Sequence, residues 1–219
     1  MSVERLVWDS DFFGLPIGVA KGAEPVDRII AEARSLSLEC VYVRSEKRLD
    51  DERLFLADHR VELRAARQSD VPNPLRVRRA QMADLAELGA ALDAVAPWSR
   101  FSRDPRFGLA SARRMYERWL IAGFEQHASV AAVALSRSGL AGFVVLSPKA
   151  ARVELISTSP SGRGHGHDLM VWAKQQLVTE PLMSVATQSN NRAAIRFYES
   201  EGFSKVSESF VYHLWLDER

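Results

Sequence analysis

The chain has 219 residues, 47% of them hydrophobic and 26% charged, which is enough for one large or two small domains with a buried core. Its 29 Lys and Arg residues nearly balance its 28 Asp and Glu residues, and the net charge of +1 provides no field that would attract nucleic acid or an anionic membrane. Cys40 is the one cysteine, which excludes an internal disulfide and favours a reducing compartment.

The amino-terminal segment gives no targeting signal. Residues 1–14 mix charged and apolar side chains and lack the apolar core of a signal peptide. Throughout the chain, no stretch approaches the ~18 uninterrupted apolar residues of a membrane span. We therefore expect a cytoplasmic protein that binds neither membrane nor nucleic acid.

The first third of the chain has the pattern of a small α/β unit. Hydrophobic periodicity predicts strands over 3–10 and 16–22, a helix over 26–37, a strand over 40–45, a short helix over 52–59 and a strand over 60–67. Residues 69–75 contain two prolines and mark a candidate domain boundary. We expect an amino-terminal α/β domain over 1–72 and a second domain over 76–219.

The second domain begins with a strand and then a helix whose leucines Leu85, Leu88 and Leu92 fall on one stripe. The elements predicted after it are a polar aromatic loop over 98–108, a helix over 109–125, strands over 129–136, 140–147 and 151–158, a helix over 168–177, a strand over 182–188, a helix over 192–201 and closing strands around 209–216. This order indicates an α/β or α+β fold, a sheet covered by helices.

The segment "SGRGHG", residues 161–166, places three glycines before a predicted helix. Gly162, Gly164 and Gly166 allow positive φ angles and a close approach of a ligand to the backbone. Because a helix amino terminus carries partial positive charge, an anion such as a pyrophosphate is the natural occupant. A plain strand-to-helix turn is the alternative, whereas the spacing does not fit a dinucleotide fingerprint or a Walker loop.

His165 and His167 flank the last of these glycines. With no nearby set of Cys or His partners, they are expected to be solvated loop histidines, and we predict no metal.

The glycine segment resembles the phosphate loop R/Q-x-x-G-x-G/A of the GNAT superfamily of acetyl-CoA-dependent N-acetyltransferases. Ser161 stands where Arg or Gln is usual, and Leu169 follows as the helix-facing leucine. Downstream, "NRAAIRFYESEGF" (191–203) resembles the family pattern N-x-x-A-I-x-x-Y-x-x-x-G-F. The resemblance covers residues 76–216 and implies a GNAT fold, with a mixed central sheet flanked by helices, and acetyl-CoA as cosubstrate.

A narrower resemblance spans the whole chain. "LVWDSDFFGLPIG" (6–18) and "VATQSNNRAAIRFYESEGF" (185–203) are similar to the two-domain dTDP-fucosamine acetyltransferases. In that group a smaller amino-terminal domain resembles a partial GNAT fold, and the acceptor is the 4-amino group of a nucleotide-linked deoxysugar. The resemblance thus implies a nucleotide sugar as the acceptor.

The GNAT resemblance also implies roles for individual residues. The cofactor-binding positions it implies are Leu155, Ile156, Ser157, Ser161, Gly162, Arg163, Gly164, His165, Gly166, Asn191 and Tyr198. The backbone of 155–157 would pair with the pantetheine amides, and one N–H would polarise the thioester carbonyl. Tyr198 would protonate the departing thiolate, although a buried tyrosine with a structural role is the alternative. Asn191 would bind the pantetheine arm or its phosphate end.

Glu154 is the carboxylate best placed along the strand to accept the amine proton, with a surface or salt-bridged glutamate as an equal alternative.

The loop over 98–107 falls where such enzymes shape the acceptor pocket. Its arginines and aromatics are Trp98, Arg100, Phe101, Arg103 and Arg106. The arginines can pair with a diphosphate and the aromatics can stack on a base or sugar, but a solvated surface loop is the simpler expectation for each residue. The aromatic segment 8–14 is expected to pack within the first domain, with reaching the acceptor site as the alternative.

Three hypotheses for function remain open. The first is an N-acetyltransferase that acts on an amino sugar nucleotide. The second keeps the reaction but moves the acceptor to a small amine, an amino acid or a protein amino terminus. The third is a CoA-binding module without catalysis, which Ser161 supports. Both a monomer and a homodimer are compatible with the sequence.

Overall fold

The computed structural model describes residues 3–21, 24–66, 74–125, 130–160, 164–176 and 181–216. These residues form a ten-stranded mixed sheet covered by helices. The strands are β1 (Val3–Arg5), β2 (Ile17–Lys21), β3 (Cys40–Ser45), β4 (Leu54–Ala66), β5 (Val77–Arg79), β6 (Val130–Ser136), β7 (Gly139–Ser147), β8 (Arg152–Thr158), β9 (Leu182–Gln188) and β10 (Ser204–Trp215). The helices are α1 (Val7–Phe13), α2 (Val26–Ser35), α3 (Gly89–Val95), α4 (Arg100–Arg103), α5 (Gly108–Glu125), α6 (His165–Gln176) and α7 (Arg192–Ser200).

The strand predicted over 3–10 is wrong beyond residue 5, because α1 begins at Val7. Gly14 ends this helix at φ 71°, and its N–H donates to the carbonyl of Ser10. Ser10 is buried and its hydroxyl bonds back to the carbonyl of Leu6, which ties the short helix down. The glycine stop signal is present in the sequence, but the apolar run before it also fits a strand.

The helix predicted over 52–59 is also wrong, because residues 54–59 belong to the thirteen-residue strand β4 and residues 52–53 form a turn. Leu54, Ala57 and Asp58 are buried, which is a helix-like spacing. The spacing arises because Ala57 is an extra residue opposite β10, where Leu56 and Asp58 face consecutive partners. A β-bulge therefore breaks the alternation on which the strand prediction depends.

The order of strands in the sheet is β1-β2-β3-β10-β4-β9-β8-β7-β6-β5. The pairs β2–β3 and β8–β9 are parallel, and the other pairs are antiparallel. β10 lies between β3 and β4, so strands from the amino-terminal segment and from the rest of the chain share one sheet. The division into domains 1–72 and 76–219 stays a prediction, since residues 67–73 lie outside the described residues.

Helices cover both faces of the sheet. Val144 of β7 belongs to the core under α6 and α7, whereas its neighbour Val145 belongs to the core under α3 and α5. Leu88 and Leu92 are buried in the second core with Leu85 packed against it, so the three leucines face one core as predicted. The single helix predicted for them is wrong, because a 3-10 helix (Met82–Glu87) precedes α3.

The sheet opens between β8 and β9. These strands pair only at Arg152 and Val153, and beyond that point β8 follows β7 while β9 follows β4. Val153 and Leu155 face consecutive residues of β7, so Glu154 is an extra residue in β8. A bulge bends its strand, and this one lies where β8 leaves β9.

Candidate active site

The first of two adjoining cavities, the glycine-loop cavity, has a volume of about 480 Å³. It lies between the carboxyl end of β8, the start of α6 and one side of α7. The predicted cofactor-binding residues that line it are Ile156, Ser157, Gly164, Gly166, Asn191 and Tyr198. Ser161, Gly162 and Arg163 fall outside the described residues, so their predicted roles stay predictions.

Two glycines of this loop are needed for different reasons. Gly164 has a φ of 89°, which disfavours any side chain, and a Cβ placed there would meet nothing within 4 Å. A Cβ on Gly166 would lie 3.3 Å from the ring of Phe197. Gly164 therefore leaves open space at the cavity wall, while Gly166 lets α6 and α7 approach each other.

The prediction that both histidines are solvated is wrong for His165. Its side chain is buried, and it lies on the same helical face as buried Leu169 and Trp172. Its predicted contact with a cofactor can only come from the backbone at the start of α6. His167 is exposed, lines the cavity and makes a 2.7 Å contact from Nδ1 to Oε1 of Glu201.

Helix α7 holds the two residues of the second motif. The Oδ1 atom of Asn191 accepts a hydrogen bond of 3.1 Å from the N–H of Ala194, so Asn191 caps the helix as well as lining the cavity. Tyr198 is 6% exposed, and burial, followed by the nearby Tyr116, raises its pKa well above the ordinary value. Its hydroxyl therefore keeps its proton at neutral pH.

The second cavity, the Asp58 cavity, has a volume of about 190 Å³. It lies in the opening between β8 and β9, with Leu155 and Ile156 on one side and Thr187 and Gln188 on the other. The residues that line both cavities are Val95, Trp98, Ile156, Asn191, Ala194 and Tyr198. The two cavities thus meet beside Tyr198.

Two carboxylates line the Asp58 cavity. Glu154, the predicted proton acceptor, has a side chain that is 47% exposed, with its Oε2 atom 3.8 Å from Nε of Arg152. Asp58 is 7% exposed, and its Oδ1 atom is fully buried with no hydrogen-bond partner. Burial raises the pKa of Asp58, and Arg100 opposes this shift. Asp58 is thus the more enclosed of the two.

The loop predicted over 98–107 is not a solvated loop. It contains a short 3-10 turn and α4, and its buried residues are Ser99, Phe101, Asp104 and Phe107. The ring centroid of Phe13 in α1 lies 4.9 Å from that of Phe101 and 4.6 Å from that of Phe107. The expectation that segment 8–14 packs only within the first domain is therefore wrong, because Phe13 packs against this loop of the second predicted domain.

The three arginines of the loop do not converge. The guanidinium of Arg100 lies 4.4 Å from the ring centroid of Tyr42 and 4.5 Å from that of Phe101, and Arg100 lines the Asp58 cavity. Arg103 is exposed and lines neither cavity, and Arg106 stacks on Trp215 at 4.0 Å. A joint grip on a diphosphate does not follow from this arrangement.

For each cavity, a buried polar contact joins one of the elements that line it to another part of the fold. Next to the glycine-loop cavity, Nζ of Lys174 donates to the carbonyl of Glu201 at 2.6 Å and joins α6 to the end of α7. Beneath the Asp58 cavity, Oδ2 of Asp104 lies 2.7 Å from Nδ1 of His213 and accepts from Nε1 of Trp215 at 3.0 Å. The second contact fixes the end of α4, and with it Arg100, to β10.

The lining residues of the Asp58 cavity that sequence reasoning missed include Asp58, Arg60, Tyr116 and Gln188. They come from β4, α5 and β9, and no short motif joins them. The one available signal is an Asp within an apolar strand segment, which is unusual because an unpaired carboxylate is costly to bury.

Comparisons with known proteins identify the fold. No protein-family model and no curated protein sequence matches the chain. Among solved structures, a conserved Staphylococcus epidermidis protein of unknown function has a TM-score of 0.66 at 11% identity, covering 96% of this chain and 89% of its own. A putative GNAT-family acetyltransferase of Novosphingobium aromaticivorans has a TM-score of 0.59 at 15% identity, with 100% and 90% covered.

A GCN5-related N-acetyltransferase of Kribbella flavida has a TM-score of 0.58 at 14% identity, with 97% and 86% covered. At this level of identity the likenesses show the fold, which is the GNAT fold with a mixed central sheet flanked by helices. The predicted fold class is confirmed.

Two further features concern the described part of the chain. None of its helices is long and apolar enough to cross a membrane. Its His, Cys, Asp and Glu side chains include no group of three that could hold a metal ion.

Proposed function

We propose that the chain is an acetyl-CoA-dependent N-acetyltransferase that acts on a primary amine. The observation that carries this proposal is the meeting of two cavities at Tyr198, in the opening between β8 and β9. One cavity has a glycine-lined wall at a helix start, and the other contains buried charges. The GNAT fold supports the same reaction.

The glycine-loop cavity fits acetyl-CoA by its chemistry. The space beside Gly164 and the first N–H groups of α6 suit a pyrophosphate. Along β8, backbone groups on the side that has left β9 can pair with the pantetheine amides, beginning at Leu155. When bound, acetyl-CoA supplies an acetyl thioester where the two cavities meet.

The residues at the junction can move both protons of the reaction. As the amine nitrogen forms its bond to the acetyl carbon and the carbon–sulfur bond breaks, the hydroxyl of Tyr198 donates its proton to the sulfur. The proton that leaves the amine passes to a carboxylate of the Asp58 cavity. Asp58 suits this role because it is buried, has one unpaired oxygen and has a raised pKa. Glu154 remains the second candidate.

The acceptor that the narrower resemblance implies, a nucleotide-linked amino sugar, stays a prediction. A small amine or amino acid is the other acceptor class. The divergence of Arg100, Arg103 and Arg106 favours the smaller acceptor, because these arginines do not form a common diphosphate site.

Thiol release from acetyl-CoA against a panel of amines tests the proposal, with Tyr198→Phe beside the wild type. We expect turnover with at least one amine and a fall in kcat of about 100-fold in the variant, since a general acid contributes about 10²–10⁴. Tyr212→Phe is the matched control. It removes another buried hydroxyl, which accepts from the N–H of Leu49 away from both cavities.

The control is expected to lower stability and leave kcat within about twofold. Saturable acetyl-CoA binding without thiol release from any amine would instead identify a CoA-binding module.

A further inference from the structure

Asp58 places one carboxyl oxygen without a hydrogen-bond partner in a small cavity, while a hydrogen bond with Gln188 engages the same side chain. Its side chain is more than nine-tenths buried, and Oδ1 has no hydrogen-bond partner in the described part of the chain. A buried carboxylate oxygen without a partner is costly. A ligand that brings a cationic donor to Oδ1 would remove this cost.

Arg100 presents the opposite charge in the same cavity. Its Nε atom is also buried and has no hydrogen-bond partner among the described residues. The guanidinium carbon lies 4.4 Å from the ring centroid of Tyr42 and 4.5 Å from that of Phe101, and the two centroids are 5.9 Å apart, so both rings pack on one side of the group and leave an N–H edge for an anion. Such an edge binds a carboxylate with two parallel hydrogen bonds.

Asp58 and Arg100 do not neutralise each other by contact. They attract each other electrostatically, but no N–O distance between them is within 4 Å. Arg60 lines the same cavity and is attracted electrostatically by Asp58 and Glu62, but within the described ranges it makes no ion-pair contact within 4 Å. The cavity therefore holds separated positive and negative groups, which suits a ligand with both charges.

The size of the cavity limits this ligand. At about 190 Å³ it is somewhat larger than the ~150 Å³ cavity that holds benzene. An amino acid head group fits such a space, whereas a nucleoside diphosphate sugar would lie largely outside it.

Building on the proposed acetyltransferase function, we infer that the acceptor is a compact zwitterion, a primary amine with a carboxylate a few bonds away. Asp58 binds the ammonium group and takes one of its protons, and the neutral amine then attacks the acetyl carbon. The second proton that leaves the nitrogen replaces the one that Tyr198 gives to the sulfur. Arg100 binds the carboxylate and orients the amine toward Tyr198.

The first test uses the wild-type enzyme and matched acceptors. Each amino acid in the panel is compared with its amide and with the amine that lacks the carboxylate, at saturating acetyl-CoA. We expect kcat/KM to be higher for the free acid by about tenfold or more, because each of the other two lacks the charged partner of Arg100. Equal turnover of the three forms, or turnover of a dTDP-linked amino sugar alone, would overturn the inference.

Substitutions identify the side chain that causes the higher kcat/KM for the free acid. Arg100→Gln should lower kcat/KM for the free acid by about tenfold more than for the amide and the simple amine, which abolishes the preference for the free acid. Asp58→Asn should lower kcat/KM for all three forms. Arg118→Gln removes an exposed arginine of α5 that lines neither cavity, and it should change none of these values.

Acetyl-CoA binding by calorimetry and thermal unfolding are measured for each variant, so a folding defect is distinguished from a lost contact. If Arg100→Gln retains the preference for the free acid, Arg100 is not the anion site and the inference fails. If the wild type turns over no amine at all, the proposed acetyltransferase function fails and the inference falls with it. If it turns over amines without regard to their carboxylate, the inference alone fails.

Discussion

The two cavities that meet at Tyr198 are built in different ways. The glycine-loop cavity is formed mainly by the end of β8, the start of α6 and one side of α7, which are neighbours in the chain. The Asp58 cavity combines β4, α3, α4, α5, β8, β9 and α7, so its residues range from position 58 to position 198. The cavity proposed for acetyl-CoA is thus formed by short segments that are close together in the chain. The cavity proposed for the acceptor depends instead on residues brought together by the whole sheet.

This difference leads us to expect that remote substitutions damage the Asp58 cavity first. The largest effect is expected for Asp104→Ala, which leaves the Trp215 indole N–H and the His213 ring without their partner. Losing these buried hydrogen bonds should cost about 3 kcal/mol of the free energy of unfolding.

Because α4 then loses its attachment to β10, KM for the amine should rise while the Kd of acetyl-CoA stays unchanged. Denaturant unfolding and calorimetry provide both values. An equal loss of acetyl-CoA affinity would show that the two cavities are not independent.

A smaller effect is expected in the glycine-loop cavity, for Gly164→Ala. The positive φ of 89° disfavours a side chain by about 1–2 kcal/mol, and the new methyl group would stand where the cavity wall is open. Acetyl-CoA should bind about tenfold more weakly, while KM for the amine is unchanged.

Gly14→Ala is the control for Gly164→Ala, because Gly14 has a φ of 71° but lines neither cavity. It should lower stability without altering acetyl-CoA affinity. If both variants bind acetyl-CoA like the wild type, the cosubstrate does not approach Gly164.

The smallest expected effect is on the pH dependence of the free energy of unfolding. Burial lowers the pKa of His213 below its ordinary value, against the pull of Asp104, so the ring is neutral in the folded protein. The unfolded chain, with a pKa of about 6.5, takes up a proton first as the pH falls. The contribution of neutral His213 to the free energy of unfolding is therefore present above pH 6.5. It is lost as the pH falls from 6.5 through the lower pKa of His213 in the folded protein.

Unfolding free energies measured between pH 8 and 5 should show this loss, and His213→Gln should reduce the slope. His59→Gln is the comparison variant, because the pKa of His59 is also lowered by burial but its side chain is 31% exposed. An unchanged slope in His213→Gln would exclude His213 as its source.

The fold was largely predictable because most elements keep one period along their length. The strand over 182–188 and the helices over 26–37 and 192–201 match β9, α2 and α7 closely. The errors at α1 and in the first part of β4 fall where a short helix or a bulge changes the spacing of buried residues. The periodicity of one segment cannot reveal a bulge residue, because a residue is extra only relative to the strand that it pairs with.

The residues of the candidate site also divide into those that local sequence patterns predict and those that they do not. Gly164 and Tyr198 were found because motifs place them within a few residues of a helix start or on one helix. Asp58 follows one bulge residue and Glu154 is another, so strand alternation could not tell which carboxylate faces the cavity. Arg100 was named for its charge, but the rings of Tyr42 and Phe101 that orient it come from separate parts of the chain.

The position of β10 has a consequence for synthesis on the ribosome. Its partners β3 and β4 are complete by residue 66, whereas β10 begins at Ser204, about 140 residues later. At about 5–20 residues per second, the facing edges of β3 and β4 wait roughly 7–28 s for the strand that separates them. During that interval they are open templates for pairing with other chains, so the yield of folded protein depends on how well the nascent chain is shielded until its last strand emerges.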